Sequence, residues 1–409
     1  MIKETKKSPT IRFRRFIDDW EQRSFGDIFE ERSEKNHAKL PPLTIMQGVG
    51  TVRRDETGRE LIYDKNSLIN YKLVKRNDFI VHLRSFEGGL EKSNLDGIVS
   101  PAYHVFCGRK INPEFYYSFF RSDEFINHKL VPFVYGIRDG RSIDISGMKM
   151  IQIPYPSLDE QNCIGELIGK LNAAISLYQS KLEQQKKLKK YFLQNMFPAK
   201  GEKVPKIRLK GFTGDWEQRK FGEIAEYKKG PFGSALKKEF FIPDSDISIK
   251  VYEQQNAINK DWTLSRYYIS QEYAQKLKAF EVHSGDIIVS CAGTIGEIYE
   301  LPAQSRPGII NQALMRIRVN KDIVCKDIFK LAFSNMIDSL SREFSNGSAI
   351  KNIPPFADLK PMKVLLPDKT EQKLIGDFFT DIDKTITLHQ RKLNQFQTMK
   401  KFMLQNLFI

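Results

Sequence analysis

Two long stretches with the same heptad pattern constrain this chain more than any other feature. The first runs over residues 157–196 and the second over 368–407, at an offset of 211. Apolar side chains occupy eight of the ten seam positions in each stretch. A seam sustained this long predicts two helices, each about 60 Å in length, that pack on one another. The alternative is that each helix covers only the core of its own domain.

The beginnings of the two stretches carry helix-start signals. Ser157 with Glu160, and Asp368 with Glu371, have the spacing of a capping box, in which the first side chain accepts from a backbone amide and the Glu reaches back. We interpret His389 as a polar residue that sets the helix register. The predicted seam residues are Ile164, Ile168, Leu171, Ile175, Tyr178, Leu182, Ile375, Phe379, Ile382, Ile386, His389 and Leu393.

A second repeat precedes each long stretch. Residues 9–28 reappear at 205–224, and both copies contain Asp-Trp-Glu-Gln-Arg. The offset here is 196, so the second copy holds fifteen more residues between its matched ends. The ends repeat closely while the interiors differ, which indicates one scaffold with two different recognition surfaces.

The repeats predict an α+β fold with two similar α/β globules, an antiparallel pair of long helices between them as a coiled-coil spacer, and a pseudo-two-fold internal repeat. The predicted segments are a first globule at 1–156, a long helix at 157–197, a linker at 198–204, a second globule at 205–367 and a long helix at 368–409. Residues 9–28 should lie close to the end of the second long helix. Turn-bounded apolar runs predict short strands at 78–81, 97–99, 103–106, 149–153, 286–289, 308–310, 314–319 and 362–366, and helices at 112–121 and 327–342.

Charge favours a polyanionic partner. The 409 residues carry a formal net charge of +15, and nucleic acid is the commonest partner of so basic a protein. A basic but unspecialised surface is the alternative. Four dispersed cysteines without a CxxC pair indicate a reduced, intracellular protein without a cysteine metal site. No apolar run suggests a membrane span or a signal peptide, so we expect a cytoplasmic protein with no membrane partner.

Catalytic motifs are incomplete. Residues 352–356 read Asn-Ile-Pro-Pro-Phe, but Ile353 stands where an amino-methyltransferase motif needs a polar acceptor. Residues 48–50 read Gly-Val-Gly, without the third glycine of a phosphate-binding loop. The six histidines lack metal-ligand spacing. We expect a non-catalytic chain without a metal or cofactor of its own.

Basic and hydrogen-bonding side chains in the globule loops are the candidates for DNA contact. Lys and Arg bind phosphates, and Arg, Asn and Gln reach base edges. For each residue the alternative is a solvated surface side chain. The candidates are Arg53, Arg54, Arg84, Ser85, Lys92, Arg109 and Arg138 in the first globule, and Lys228, Lys229, Ser234, Lys237, Lys238, Gln254, Gln255, Asn256 and Lys351 in the second.

Several of these motifs together resemble a known family. They are the two Asp-Trp-Glu-Gln-Arg boxes, the Glu-Gln-x-x-Ile-Gly helix starts at Glu160 and Glu371, the Leu-Gln-Asn-Met/Leu-Phe ends at Phe197 and Phe408, and Lys-Gly-Pro-Phe-Gly-Ser at 229–234. In this order they resemble the specificity (S) subunits of type I restriction–modification systems, over essentially the whole chain.

The resemblance implies two target-recognition domains, each reading one half of a bipartite asymmetric double-stranded DNA site. It implies a complex with two modification (methyltransferase) subunits and two restriction (motor-nuclease) subunits, which hold the S-adenosylmethionine, ATP and Mg²⁺. It also implies that the repeated helices dock the modification subunits. Two other hypotheses stand beside it: a stand-alone pseudo-dimeric DNA-binding regulator or architectural protein, and an enzyme whose motif escapes recognition.

Overall fold

The computed structural model describes residues 8–57, 65–82, 85–136, 142–292, 294–344 and 356–408. Two compact units are present. Unit 1 comprises Met1–Leu182 with His389–Ile409, and unit 2 comprises Glu183–Leu388. Within the described ranges, none of the helices combines the length and the apolar composition that crossing a bilayer requires.

Short strands and short helices precede the first long helix. In order they are β1 (Glu21–Ser24), α1 (Phe25–Ile28), β2 (Phe29–Arg32), β3 (Leu43–Met46), β4 (Gly50–Arg53), β5 (Lys72–Val74), β6 (Phe79–Val81), α2 (Ser85–Gly88), β7 (Glu91–Lys92), β8 (Gly97–Val99), β9 (His104–Gly108), α3 (Pro113–Phe120), β10 (Val134–Tyr135), β11 (Ser142–Ile143), α4 (Ile145–Lys149), β12 (Gln152–Tyr155) and the long helix α5 (Leu158–Asn195). A π-helical turn occupies Glu124–Leu130.

The second half of the chain repeats this plan. Its elements are β13 (Glu217–Lys220), α6 (Phe221–Ile224), β14 (Ala225–Lys229), β15 (Ser248–Tyr252), α7 (Gln254–Asn259), β16 (Tyr267–Ser270), α8 (Gln271–Lys276), β17 (Glu281–Val282), β18 (Ile287–Ser290), β19 (Ile298–Glu300), β20 (Gly308–Ile310), β21 (Leu314–Val319), α9 (Lys326–Phe344), α10 (Phe356–Leu359), β22 (Lys363–Leu366) and the long helix α11 (Lys369–Asn406).

The sheets of the two units have the same strand order. Unit 1 contains the antiparallel sheet β2-β9-β6-β7, and unit 2 contains its counterpart β14-β21-β18-β19. Unit 2 adds a mixed sheet, β16-β15-β20-β17, in which β15 and β20 run parallel. In unit 1 the corresponding strands form two pairs, β3-β4 and β5-β8, joined by a parallel bridge between Pro42 and Ile98. The predicted internal repeat is therefore a repeat of topology as well as of sequence.

A two-stranded neck joins each globule to its long helices. In unit 1, β1 pairs antiparallel with β12, with Ser24 opposite Gln152. In unit 2, β13 pairs with β22, with Lys220 opposite Lys363. The chain thus enters and leaves each globule on adjacent strands, so the interior sequence between the two strands of a neck can vary without displacing the helices.

Aromatic rings fill the core under each main sheet. In unit 1, Phe29 lies 5.4 Å from the ring of Phe79 and 5.1 Å from that of Tyr116, and all three are buried. The same core continues into the long helices through Ile164 and Phe408. In unit 2 the equivalent core includes rings from α6, β14 and α9 together with apolar side chains of α11. Each globule is consequently packed onto the helix segments of its own unit.

The long helices pack antiparallel within each unit. In unit 1 the Tyr178 ring lies 5.8 Å from His389 and 5.6 Å from Phe396, while the earlier α5 residues share a core with the end of α11. In unit 2 the Phe192 ring lies 5.0 Å from Phe378, and Lys189 Nζ lies 2.6 Å from Asp383 Oδ1. Every predicted seam residue is buried or half-buried. The two helices contact each other in both units, so the alternative that each helix covers only the core of its own domain is wrong.

Two equivalent short segments, residues 11–12 and 207–208, bind the ends of these helices. We call each segment a strap, and its contacts with the helix ends a clamp. In unit 1 the backbone N–H of Ile11 donates to the carbonyl of Asn406 at the end of α11, and Arg12 forms a bidentate ion pair with Glu160 at the start of α5 (2.7 and 2.8 Å). The contact between residue 11 and residue 406 confirms the predicted proximity. In unit 2 the carbonyl acceptor is Asn195, and Arg208 pairs with Glu371 at 2.8 and 2.7 Å. Both Glu side chains are buried.

The clamps correct the predicted capping boxes. Ser157 Oγ accepts from the N–H of Glu160 at 3.3 Å, and Asp368 Oδ1 accepts from that of Glu371 at 2.9 Å, so the caps form as predicted. The Glu carboxylates, however, turn to the strap guanidinium groups, because a bidentate, charge-assisted pair is stronger than a bond to one backbone amide.

Burial of His82 predicts a pH-dependent stability of unit 1. Burial, and to a lesser extent the Arg121 charge, lowers the pKa of His82 from 6.5 to about 4. As the pH falls, the unfolded state binds the proton first, so stability present above pH 6.5 is lost between pH 6.5 and 4, by up to roughly 3 kcal/mol. In urea unfolding of His82→Gln we expect a clearly smaller loss over this window. His128→Gln, at an exposed position, is the control. Equal losses of stability in the native chain, His82→Gln and His128→Gln would contradict the prediction.

Candidate nucleic-acid interface

One edge of unit 2 brings together loops from four parts of the sequence. We define this rim as residues 228–238, Gln254, Ala292, Thr294 and 311–313. The N–H of Gly230 donates to the carbonyl of Leu314 at 2.9 Å, and a Cβ at Gly230 would overlap the carbonyl of Asn311. Only glycine allows this approach of the loop after β14 to the turn before β21.

Hydrogen bonds connect the other parts of the rim. Gln254, the first residue of α7, donates from Nε2 to the carbonyls of Ala292 and Thr294. The N–H of Cys291 donates to the carbonyl of Ala313 at 2.8 Å. The exposed side chain of Gln312 lies beside Gly233. The rim is therefore a fixed surface that presents amide groups between lysines.

Lysines make the rim electropositive. Lys229, Lys237 and Lys238 are exposed, as is Ser234. Lys228 is half-buried, with its Nζ 5.1 Å from the centre of the Phe280 ring. These cations follow one another along a single segment, so their fields add at one edge, an arrangement suited to a row of phosphates.

The predicted cations of unit 1 are more dispersed. Arg109 has 82% of its side chain exposed and pairs with Glu30 Oε2 at 2.7 Å. Arg53 is exposed at the end of β4 and lies 3.2 Å from Asp55 Oδ2. Arg54 donates to the hydroxyl of Tyr71 at 3.3 Å. Exposed pairs of this kind exchange partners at little cost, so Arg53 and Arg109 can still reach a phosphate.

Three predicted contact residues lie in the interior. Ser85 is fully buried, and its hydroxyl accepts from the N–H of His82. Lys92 is buried, pairs with Glu114 and lies over the Tyr117 ring. Asn256 is fully buried and donates to the carbonyls of Asp261 and Leu264. These side chains hold loops in place and cannot reach a duplex, so the interface omits them.

Of the remaining candidates, one forms a hydrogen bond to a nearby residue and three lie outside the described residues. Gln255 is half-buried and donates to Glu253 Oε2 at 3.1 Å. Arg84, Arg138 and Lys351 lie outside the described residues, as does the Pro-Pro motif up to position 355.

The Gly-Val-Gly sequence forms a β-hairpin turn. Gly48 and Gly50 have φ values of +82° and +95°, and the N–H of Gly48 donates to the buried carboxylate of Glu91 at 2.8 Å. Glu91 also accepts from Tyr117 and Arg121. The turn joins two strands and no helix follows it, so it is not a phosphate-binding loop. Among the described residues, no group of three or more His, Cys, Asp or Glu side chains could hold a metal ion.

Sequence reasoning missed the role of Glu91, since nothing near it in sequence marks a buried carboxylate. It also missed Gln312 as a rim residue. The signal for Gln312 was a polar Asn-Gln pair just before the strand predicted at 314–319, a composition typical of a turn.

Comparisons with known proteins show what the chain is similar to. Residues 213–398 match the family of the type I restriction modification DNA specificity domain. The putative type I restriction enzyme MjaX specificity subunit of Methanocaldococcus jannaschii is 22% identical over 402 residues, which cover 94% of this chain and 91% of that protein. Over residues 213–398 the chain is therefore similar to type I restriction–modification specificity domains, and over most of its length it is similar to a specificity subunit.

Solved structures of similar proteins agree with the fold. The S subunit of a type I restriction–modification system from M. genitalium has a TM-score of 0.62 at 14% identity, covering 98% of this chain and 99% of its own. A chain solved for complex assembly and conformational transition of the type I R-M system has a TM-score of 0.53 at 16% identity, covering 94% and 96%. The predicted α+β fold class is thereby confirmed.

Proposed function

We propose that this chain is the DNA-reading subunit of a type I restriction–modification complex, in which each globule reads one half of a bipartite asymmetric DNA site. The observation that carries the proposal is the repeat: each unit has the same neck, strap and main sheet, but a different second sheet and different loops. Two unlike readers on equivalent scaffolds correspond to two unlike half-sites.

In unit 2 the rim is the reading surface. Its lysines bind phosphates on either side, and its amide groups, foremost the exposed Gln312, hydrogen bond to base edges. In unit 1 the exposed Arg53 and Arg109 supply phosphate contacts. The paired helices set the separation of the half-sites, so the base pairs between them are not read.

Exposed apolar residues on the long helices support docking of two modification subunits. Leu177, Leu188 and Tyr191 of α5 correspond, at the offset of 211, to Leu388, Met399 and Phe402 of α11, and all six have relative exposures between 41% and 54%. By unit, the set in unit 1 is Leu177, Met399 and Phe402, and the set in unit 2 is Leu388, Leu188 and Tyr191. Two equivalent apolar surfaces fit two copies of one partner.

The chemistry belongs to the partners in this proposal. Two modification subunits bind S-adenosylmethionine and methylate the site, and two restriction subunits use ATP and Mg²⁺. The specificity subunit contributes recognition, phosphate binding and the spacing between the two sites of methylation.

Methylome sequencing tests the proposed function. Expression of this chain with its modification subunit in a host that lacks both should add one bipartite asymmetric motif to the methylated sequences. The modification subunit alone should add none. An unchanged methylome, with a stable complex present, would refute the assignment.

Negative charge introduced by substitution into one docking surface should halve the number of bound modification subunits. We expect Met399→Glu with Phe402→Glu to leave one modification subunit per chain, because the equivalent surface in unit 2 is intact. Native mass spectrometry measures this stoichiometry. The mirror variant, Leu188→Glu with Tyr191→Glu, should give the same result, and the combination should bind none. Two bound subunits in every variant would place the docking surface elsewhere.

Salt should weaken DNA binding steeply, and each rim lysine should contribute to the slope. Phosphate contacts release counterions, so removal of one contact by Lys229→Gln should reduce the slope of log K against log salt by about 1. Fluorescence anisotropy with the assembled complex measures the slope. Lys384→Gln, at an exposed position of α11, should leave it unchanged.

A further inference from the structure

Phe232 stands out among the apolar residues of the rim. Its relative exposure is 89%, the highest of the large apolar side chains in the described residues. It lies in the middle of the sequence Lys-Gly-Pro-Phe-Gly-Ser, between lysines on both sides. A ring left in water gives up the burial energy that a phenylalanine normally contributes, and a partner that covers the ring would recover it.

The backbone around Phe232 is fixed. Gly230 is held against the turn before β21, and Pro231 is buried. The carbonyl of Phe232 accepts from the N–H of Ala235 at 2.9 Å, and the carbonyl of Ala235 accepts from the hydroxyl of Tyr273 at 2.9 Å. Leu236 follows in the core. The loop thus holds the backbone of Phe232 at a set position, so little backbone entropy remains to be lost when the ring is buried by a partner.

The surroundings of the ring identify the partner as a duplex. Lys229, Lys237 and Lys238 are exposed on the same loop, while Gln312 lies beside Gly233. A protein partner would not require so many cations around one ring. Phosphates would neutralise them, and an apolar side chain that enters a base step between bound phosphates is an established mode of DNA contact.

We propose that Phe232 is a wedge that inserts between two adjacent base pairs of the half-site read by unit 2. The inference rests on the proposed function and deepens it: the lysines hold the backbone on both sides, the ring unstacks one step, and specificity arises from how easily that step opens. Pyrimidine–purine steps open most readily, so we expect one at the wedge position.

The test uses the complex of this chain with its modification subunit and duplexes that carry its methylated motif. 2-Aminopurine, which pairs with thymine, replaces each adenine of the half-site in turn on either strand, except the methylated one, because the modification subunit itself extrudes that base. With the native chain, fluorescence should rise at one step. With Phe232→Ala the rise should vanish and the affinity should fall about 10- to 100-fold.

Matched variants complete the experiment. Phe232→Trp should keep the fluorescence rise, because a larger ring can still enter the step. Ile247→Ala removes another exposed apolar side chain of unit 2, 73% exposed between Asp246 and Ser248, and should change nothing. Thermal unfolding of Phe232→Ala should match that of the native chain, since the ring makes few contacts in the protein.

The outcomes separate the two proposals. If the native complex shows no preference for any duplex, the proposed function itself fails. If the native complex binds its motif but Phe232→Ala binds equally well with the same fluorescence, the wedge is wrong and the function stands. A Phe232→Ala variant that loses the modification subunit instead would assign the ring to a protein contact and overturn the wedge.

Discussion

Arg208→Ala is expected to lower the free energy of unfolding by about 3–5 kcal/mol, because it leaves the fully buried carboxylate of Glu371 without its cation. For a unit of about 200 residues this corresponds to a fall in Tm of roughly 6–20 °C. Circular dichroism of the full chain measures the shift. Faster hydrogen exchange at the start of α11 would show that the opening begins at the clamp.

Three variants make this prediction specific. Asp381→Ala breaks an exposed pair with Lys384 on the same helix and should leave the Tm almost unchanged. Arg208→Leu combined with Glu371→Leu removes both charges, so it should recover most of the loss. Arg12→Ala exposes the same defect at Glu160 in unit 1 and should have a similar effect. A Tm for Arg208→Ala equal to that of Asp381→Ala would show that the clamp does not hold the helices.

Exchange of residues 29–148 for the corresponding interior of another such chain is expected to change one half-site and leave the other unchanged. The junctions lie inside the neck formed by β1 and β12, so the helix pair of the recipient keeps its position. The donor must supply apolar residues equivalent to Phe115 and Phe119, because these contact Phe408. Each base pair of mismatch costs about 1–3 kcal/mol, so the old half-site should be lost completely from the methylome.

The mirror exchange of residues 225–359 is the control, and it should change the other half-site alone. Both chimaeras should assemble with the same modification subunits, since the exposed helix residues are untouched. If either exchange altered both half-sites, the two globules would not read independently.

Sequence periodicity predicted the features that depend on local pattern. Apolar spacing and turn residues predicted the long helices, the short strands and the repeat. These signals can be read within a short window of sequence. The Asp368 cap formed as predicted for the same reason. The Glu371 carboxylate does not complete the predicted capping box, because it pairs with Arg208. That residue lies 163 positions away, and no local sequence pattern reports so distant a contact.

Candidate contact residues were harder to predict, since polarity does not report burial. Asn256 and Lys229 are both polar residues near a loop, yet Asn256 is fully buried in three hydrogen bonds and Lys229 is exposed. This difference in burial depends on the tertiary contacts around each residue, which the residue type does not report. The sequence also did not predict the exposure of Phe232, because an isolated phenylalanine is most often a core residue.

The paired strands of the necks have a consequence for inheritance. Two genes that share only the short codon stretches for these strands can recombine there and produce a folded protein with a new interior. Because the two interiors recombine separately, the number of available specificities grows as the product of the variants of each. Under the proposed function, a population of cells obtains a new methylation pattern from one crossover, without any change in the genes of the modification subunits.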